Sequence, residues 1–116
     1  MYLDFIDNDH EDNFYHLIAK AGSSVGDSDR RALFYIIAGS YDLNSKVDAL
    51  YDFEKCCINK SDWQERDDFS RGIAKLVTLA FNLYNGYECN PYDIFAGLDC
   101  LNRELAHRAI RVRFDY

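Results

Sequence analysis

One stretch of this chain leaves little choice of structure. From about Phe69 to Asn85, Ile73, Leu76, Val77, Ala80, Phe81 and Tyr84 recur at intervals of three and four residues, the repeat of one helical face. Leu79 and Leu83 widen the stripe, so the helix is expected to be central, with neighbours on several sides. Asp67, Asp68 or Ser70 can cap its start, and Gly86 after Asn85 suits a left-handed terminus. A helix of this kind needs other apolar helices to cover it, and the rest of the chain supplies them.

Residues 9–21 place Phe14, Leu17, Ile18 and Ala21 on one face before Gly22. Residues 28–38 are apolar on most sides, so this short helix is expected to be buried, with Asp27 or Ser28 as cap and Gly39 as terminator. Residues 45–57 carry Val47, Leu50, Tyr51 and Phe53 and read as a helix capped by Asn44 or Ser45. Asn90-Pro91 predicts a short helix to Ala96 with Ile94 and Phe95 inward and a break at Gly97. Asp99 caps a last helix from Cys100 to about Val112, with Leu101, Leu105, Ala109 and Val112 inward and a Glu104–Arg108 pair. Residues 58–68 read as an irregular loop, and alternating strand patterns are scarce. The fold class is therefore all-α: one domain over residues 1–116, a compact bundle of five to six helices with short connections.

The chain carries a net charge of −7 in 116 residues. Residues 1–60 hold 11 acids against 6 bases, and Asp62, Glu65, Asp67 and Asp68 form a second acidic cluster. Such a chain is repelled by nucleic-acid phosphates and anionic membranes, so neither is an expected partner. Signal-peptide features and an apolar run of about 20 residues are missing, which points to a cytoplasmic location. The four cysteines, Cys56, Cys57, Cys89 and Cys100, form no C-x-x-C pair and are expected to be buried, reduced thiols.

Chemical signatures are weak. His10 and His16 lie six residues apart, about 240° around an ideal helix, and so diverge; with His107 they read as helix-surface or capping residues, and no metal or other cofactor is expected. The acidic run from Asp7 to Asp12 is not a calcium loop, because it lacks the turn glycine and has Ile18 where a bidentate Glu is needed. Cys89 precedes a helix N-terminus, a place that can depress a thiol pKa, but it reads as an ordinary loop residue. Arg103, Arg108, Arg111 and Arg113 are expected to pair within the protein and to complement the last helix dipole. Tyr51, Asp52, Asn82 and Tyr84 sit among apolar residues and are expected to form a buried polar network, or else to line a ligand pocket.

Several segments together resemble a small uncharacterised helical family of Gram-positive bacteria and their phages. They are Asp9-His10-Glu11 with Asn13-Phe14, Ala32-Leu33-Phe34-Tyr35-Ile36, Tyr51-Asp52-Phe53-Glu54, Ala80-Phe81-Asn82-Leu83-Tyr84-Asn85-Gly86 and Ala109-Ile110-Arg111-Val112-Arg113-Phe114. The resemblance implies a Gram-positive or mobile-element origin and brings no activity, since that family's function is unknown. The expected function is a non-enzymatic acidic protein-binding module, in its most concrete form a phage inhibitor of a host defence system, of anti-CRISPR or other anti-defence type. Its partner would be basic or nucleic-acid-binding, contacted through Asp9, Glu11, Asp12, Asp62, Trp63, Glu65, Asp67 and Asp68. The alternatives are a ligand-binding or enzymatic domain with a polar inter-helix pocket, and a structural subunit that dimerises through exposed tyrosines.

Overall fold

The computed structural model describes residues 3–60 and 69–116. Among these residues lie seven helices and one minimal hairpin: α1 (Asn8–Lys20), α2 (Ser28–Ala38), α3 (Tyr41–Ser45), α4 (Val47–Leu50), β1 (Tyr51–Asp52), β2 (Cys57–Ile58), α5 (Arg71–Asn85), α6 (Pro91–Ala96) and α7 (Cys100–Phe114). The all-α expectation holds. The radius of gyration is 12.7 Å, close to the ~13 Å expected of a compact chain this long.

The axis of the fold is α2. Every residue from Arg31 to Ala38 is buried, and α1, α5 and α7 all pack against this helix. A helix with that many neighbours must be apolar all round, which is what Ala-Leu-Phe-Tyr-Ile-Ile-Ala supplies. Each fully buried Phe, Leu or Ile contributes roughly 1.5–3 kcal/mol of transfer free energy. The long stripe of α5 buries Ile73, Leu76, Val77, Leu79, Ala80, Phe81 and Leu83 against α2, α3, α6 and α7. Ser70 caps α5 by accepting from the Ile73 amide, and Gly86 takes the left-handed conformation at φ 83°.

Gly39 has an ordinary negative φ, so its conformation does not explain it. A Cβ there would lie 3.0 Å from Nε2 of His10 and closer still to the buried Leu105 side chain. The missing side chain lets the end of α2 sit against both α1 and α7.

Four expectations fail in informative ways. The helix over 45–57 is replaced by two short helices and the hairpin. Ser40 caps α3 through the Leu43 amide and so starts the helix early, and Lys46 leaves helical geometry at φ −121°. Asp52 then accepts from the Glu54 and Lys55 amides, a side-chain turn that competes with the helix. Tyr51 pairs with Ile58 and Asp52 with Cys57 across the strands. Leu101 is 62% exposed, because α7 turns Leu105, Ala106, Ala109 and Val112 inward instead. Phe95 is only half-buried, whereas Ile94 is buried as expected.

The cysteines are the fourth case. All four are unbridged, but Cys56, Cys57 and Cys100 are exposed and Cys89 is half-buried. Hairpin tips and helix starts put these thiols outside, where one sequence gives no sign of it. No helix among the described residues is long and apolar enough to cross a membrane.

Two outcomes follow from this packing. Leu79→Asp and Phe81→Asp each put an unpaired charge into a site at most 4% exposed. Each should cost several kcal/mol, a large part of a small domain's ~5–15 kcal/mol, and abolish the cooperative melt seen by circular dichroism. A soluble variant with the parental melting temperature would show that α5 is not integral. In the native protein, iodoacetamide should label Cys56, Cys57 and Cys100 before Cys89, as read by peptide mass spectrometry.

Candidate protein-binding face

Helix α1 divides its residues cleanly. Asp7 caps it, its carboxylate accepting from the His10 amide at 2.8 Å. His10, Phe14, Leu17 and Ile18 face the core, and Asp9, Glu11 and Asp12 are exposed. Acids in a first turn favour the helix dipole, which gives this end of α1 a local stabilising reason to be negative. Among the described residues, no side chain bonds the carboxylates of Asp9, Glu11 or Asp12.

Two shallow depressions flank this acidic end. One, of about 500 Å³, lies between α1 and α3 and is bordered by Asp9, Asn13, Tyr41 and Asn44. The other, of about 350 Å³, lies toward the N-terminal segment and is bordered by Asp4, Phe5, Glu11 and Tyr15. Each has an exposed tyrosine at its rim, Tyr41 at 86% and Tyr15 at 46%. Carboxylates and tyrosines thus border both depressions.

The four arginines of α7 are engaged within the protein. Arg108 pairs with Glu104 at 2.8 Å and with Asp4 at 3.6 Å, and donates to the Phe5 carbonyl. Arg113 donates to the Leu83 carbonyl and pairs with Asp29 at 3.1 Å. Arg103 reaches the Phe95 carbonyl and Arg111 the Tyr116 carbonyl. These contacts match the internal pairing expected of the four arginines. Buried Arg31, which the sequence did not single out, donates to the Val112 carbonyl through Nε and Nη2 and to the Val25 carbonyl through Nη1.

The polar quartet resolves differently from expectation. Tyr51 and Tyr84 do meet, but through Arg30, whose Nε donates to the Tyr51 hydroxyl at 2.9 Å and whose Nη2 donates to the Tyr84 hydroxyl at 3.4 Å. The same guanidinium bonds Asp27 and the Cys56 carbonyl, so it ties the hairpin to α2 and α5. Burial raises the Tyr84 hydroxyl, with Arg30 acting in the opposite direction. Burial also raises the Asp27 carboxyl, yet the Arg30 bonds outweigh it and hold it below its usual range. Asp52 instead closes the hairpin turn, and Asn82 donates to the Tyr87 carbonyl at 2.8 Å. Neither joins the other two, so the four are not one network. Only the position of Arg30 at the start of the buried helix hinted at its role.

A further depression, an open groove of about 780 Å³ between α5 and α6, is bordered by Lys75, Thr78, Glu88, Cys89 and Asp93. Lys75 there donates to the Asp93 carbonyl. Burial pushes the Cys89 thiol up, the opposite of activation. Among the described residues, no three His, Cys, Asp or Glu side chains gather to hold a metal ion. Asp62, Trp63, Glu65, Asp67 and Asp68 lie outside the described residues.

Residues 1–116 match the sequence family DUF6075, a family of unknown function. The chain belongs to that family. No curated protein and no solved structure matches it significantly. This DUF6075 member therefore has to be read from its own surface. The histidines correct one further expectation: His16 and His107 are exposed, but His10 is 2% exposed and built into the core.

Arg30→Ala would leave the buried Tyr51 hydroxyl and the Cys56 carbonyl without their charged donor. It should lower stability by about 1.5–3 kcal/mol, read as a fall in the urea midpoint.

Proposed function

We propose that this protein is a non-enzymatic protein-binding module that presents the acidic, tyrosine-flanked end of α1 to a basic partner. One observation carries the reading. Arg30, Arg31, Arg103, Arg108, Arg111 and Arg113 bond carbonyls or carboxylates of the protein itself, whereas Asp9, Glu11 and Asp12 stand exposed with no such bond among the described residues. With a net charge of −7, that arrangement projects negative potential outward and steers association with a positively charged surface. Tyr15 and Tyr41 supply apolar area beside it, and tyrosine is enriched among residues that dominate binding energy.

A partner whose Lys- and Arg-lined groove ordinarily holds nucleic acid fits this chemistry, because ordered carboxylates compete for the same cations as phosphates. The concrete form of the proposal is a mobile-element or phage protein that blocks a nucleic-acid-binding component of a host defence system, anti-CRISPR action included. Asp62, Glu65, Asp67 and Asp68 add to the negative charge of the whole chain.

The test is a pull-down, purification of the captured partner and measurement of its affinity against salt. The complex should weaken as salt rises. Asp9→Lys, Glu11→Lys and Asp12→Lys together should weaken it at least about tenfold, roughly 1.4 kcal/mol, while losing the first-turn acids lowers the melting temperature by a few degrees and leaves the protein folded at the assay temperature. The isolated protein should not bind DNA or RNA at physiological salt. Tight nucleic-acid binding, or a complex indifferent to both salt and charge reversal, would reject the reading.

A further inference from the structure

We propose that His10 is a pH-operated latch: in its neutral form it holds the N-terminal strap, residues 3–6, against α1 and α2, and on protonation it lets the strap go. This rests on contacts within the chain and is independent of the partner reading above.

Both ring nitrogens of His10 are in use. The Ile6 amide donates to Nδ1 at 3.0 Å, and Nε2 lies 2.8 Å from the Tyr35 carbonyl. An amide can only donate and a carbonyl can only accept. The ring is therefore the neutral tautomer with its proton on Nε2 and its lone pair on Nδ1. Flipping the ring does not escape the constraint, since it would put Cδ2 against the Ile6 amide and Cε1 against the Tyr35 carbonyl and lose both bonds. A second proton can enter only at Nδ1, where it meets the Ile6 N–H. The bond that fastens the strap then becomes a contact between two donors.

The surroundings make that bond matter. The strap places the Phe5 ring edge-on to His10, with centroids 5.1 Å apart, and against Phe14 and Tyr35 at 5.4 and 5.9 Å. Besides the Ile6 amide, it is held by the Tyr35 hydroxyl donating to the Asp4 carbonyl and by Arg108 on the Phe5 carbonyl and the Asp4 carboxylate. The charged and titratable groups facing His10 oppose one another. Asp7, at the cap of α1, favours an imidazolium, as does the Tyr35 carbonyl from α2, while Arg108 from α7 disfavours it. Asp9 and Tyr41 stand at the rim of the adjoining depression. Burial is the largest influence, and it holds the His10 pKa below the usual 6.5.

The direction of the effect follows from that sign. The latched strap favours neutral imidazole, so latching is complete above the free value of about 6.5. It weakens as pH falls through the lowered value and then levels off. The strap carries Asp4 and forms one wall of the depression beside Glu11 and Tyr15, so its release remodels that side of the acidic end.

Amide exchange and ring titration by NMR test this on the whole protein. From about pH 7.5 to 5, the protection factor of the Ile6 amide should fall at least about tenfold, while that of Leu33 in α2 holds. The fall should track the His10 ring nitrogens, starting from the Nε2–H tautomer, with a midpoint below 6.5. His16→Gln, at an exposed position on the same helix, should leave this unchanged. His10→Asn, which keeps an oxygen near the Nδ1 position but does not titrate, should remove the pH dependence. The titration of the unmodified protein decides the matter even if that variant folds poorly. Flat Ile6 protection, a fall in step with Leu33, or a ring midpoint at or above 6.5 would overturn the proposal.

Discussion

Burial of α2 on every side is the constraint from which the rest of this structure follows. An eleven-residue helix surrounded by α1, α5 and α7 carries its hydrophobic residues into the core without difficulty, but it also carries Arg31 and the hydroxyl of Tyr35. Both must find partners there, since an unpaired buried polar group costs about 1–3 kcal/mol, and a charge more. They find them in the chain's own ends. Arg31 bonds the Val112 carbonyl near the end of α7, where a cation also complements the helix dipole, and Tyr35 bonds the Asp4 carbonyl in the N-terminal strap. The polar groups of the central helix thus tie down both termini.

The same economy shapes the surface. Arg30, Arg103, Arg108, Arg111 and Arg113 each donate to backbone carbonyls, to carboxylates or to both, and the bonds of Arg30, Arg108 and Arg113 link elements far apart in sequence. Exposed pairs such as Lys20–Asp48 contribute little to stability, but the arginine-to-carbonyl bonds close helix ends and loops. Asp9, Glu11 and Asp12 remain outside at the start of α1. An acidic face produced in this way is a by-product of internal satisfaction as much as a feature of its own. That is why the proposed contact surface adjoins the elements whose cations turn inward.

His10 joins these two themes. It lies on the acidic helix, yet its ring belongs to the core, between a carbonyl of α2 and an amide of the strap. A neutral imidazole suits that place because it is at once donor and acceptor. It is also the only ordinary side chain whose charge changes near neutral pH. The packing that makes the residue useful structurally is what makes it sensitive.

Much of the fold was legible because helix period, caps and terminators are local. Asp27, Ser70, Asn90 and Asp99 cap their helices through their own side chains, and Gly86 ends α5 in the conformation glycine permits, whereas the Asp7 cap of α1 appeared only in the structure. The acidic start of α1 was equally visible, since its exposed residues follow from the apolar ones opposite. What local pattern could not decide lay where distant segments meet. The stretch 45–57 has helical spacing, but Tyr51 is buried against Phe34 and held by Arg30, and that contact favours a hairpin. Leu101 fits the inward stripe of α7 by spacing, yet the helix rotates to bury Ala106 against its neighbours. His10 looked like a surface residue because nothing near it in sequence reveals the Tyr35 carbonyl waiting 25 positions away. The sequence by itself determined the longer helices and the net negative charge, because period, caps and composition are properties of the chain alone. Only the tertiary structure decided which polar side chains are buried and what each one bonds, because those partners come together only when the helices pack.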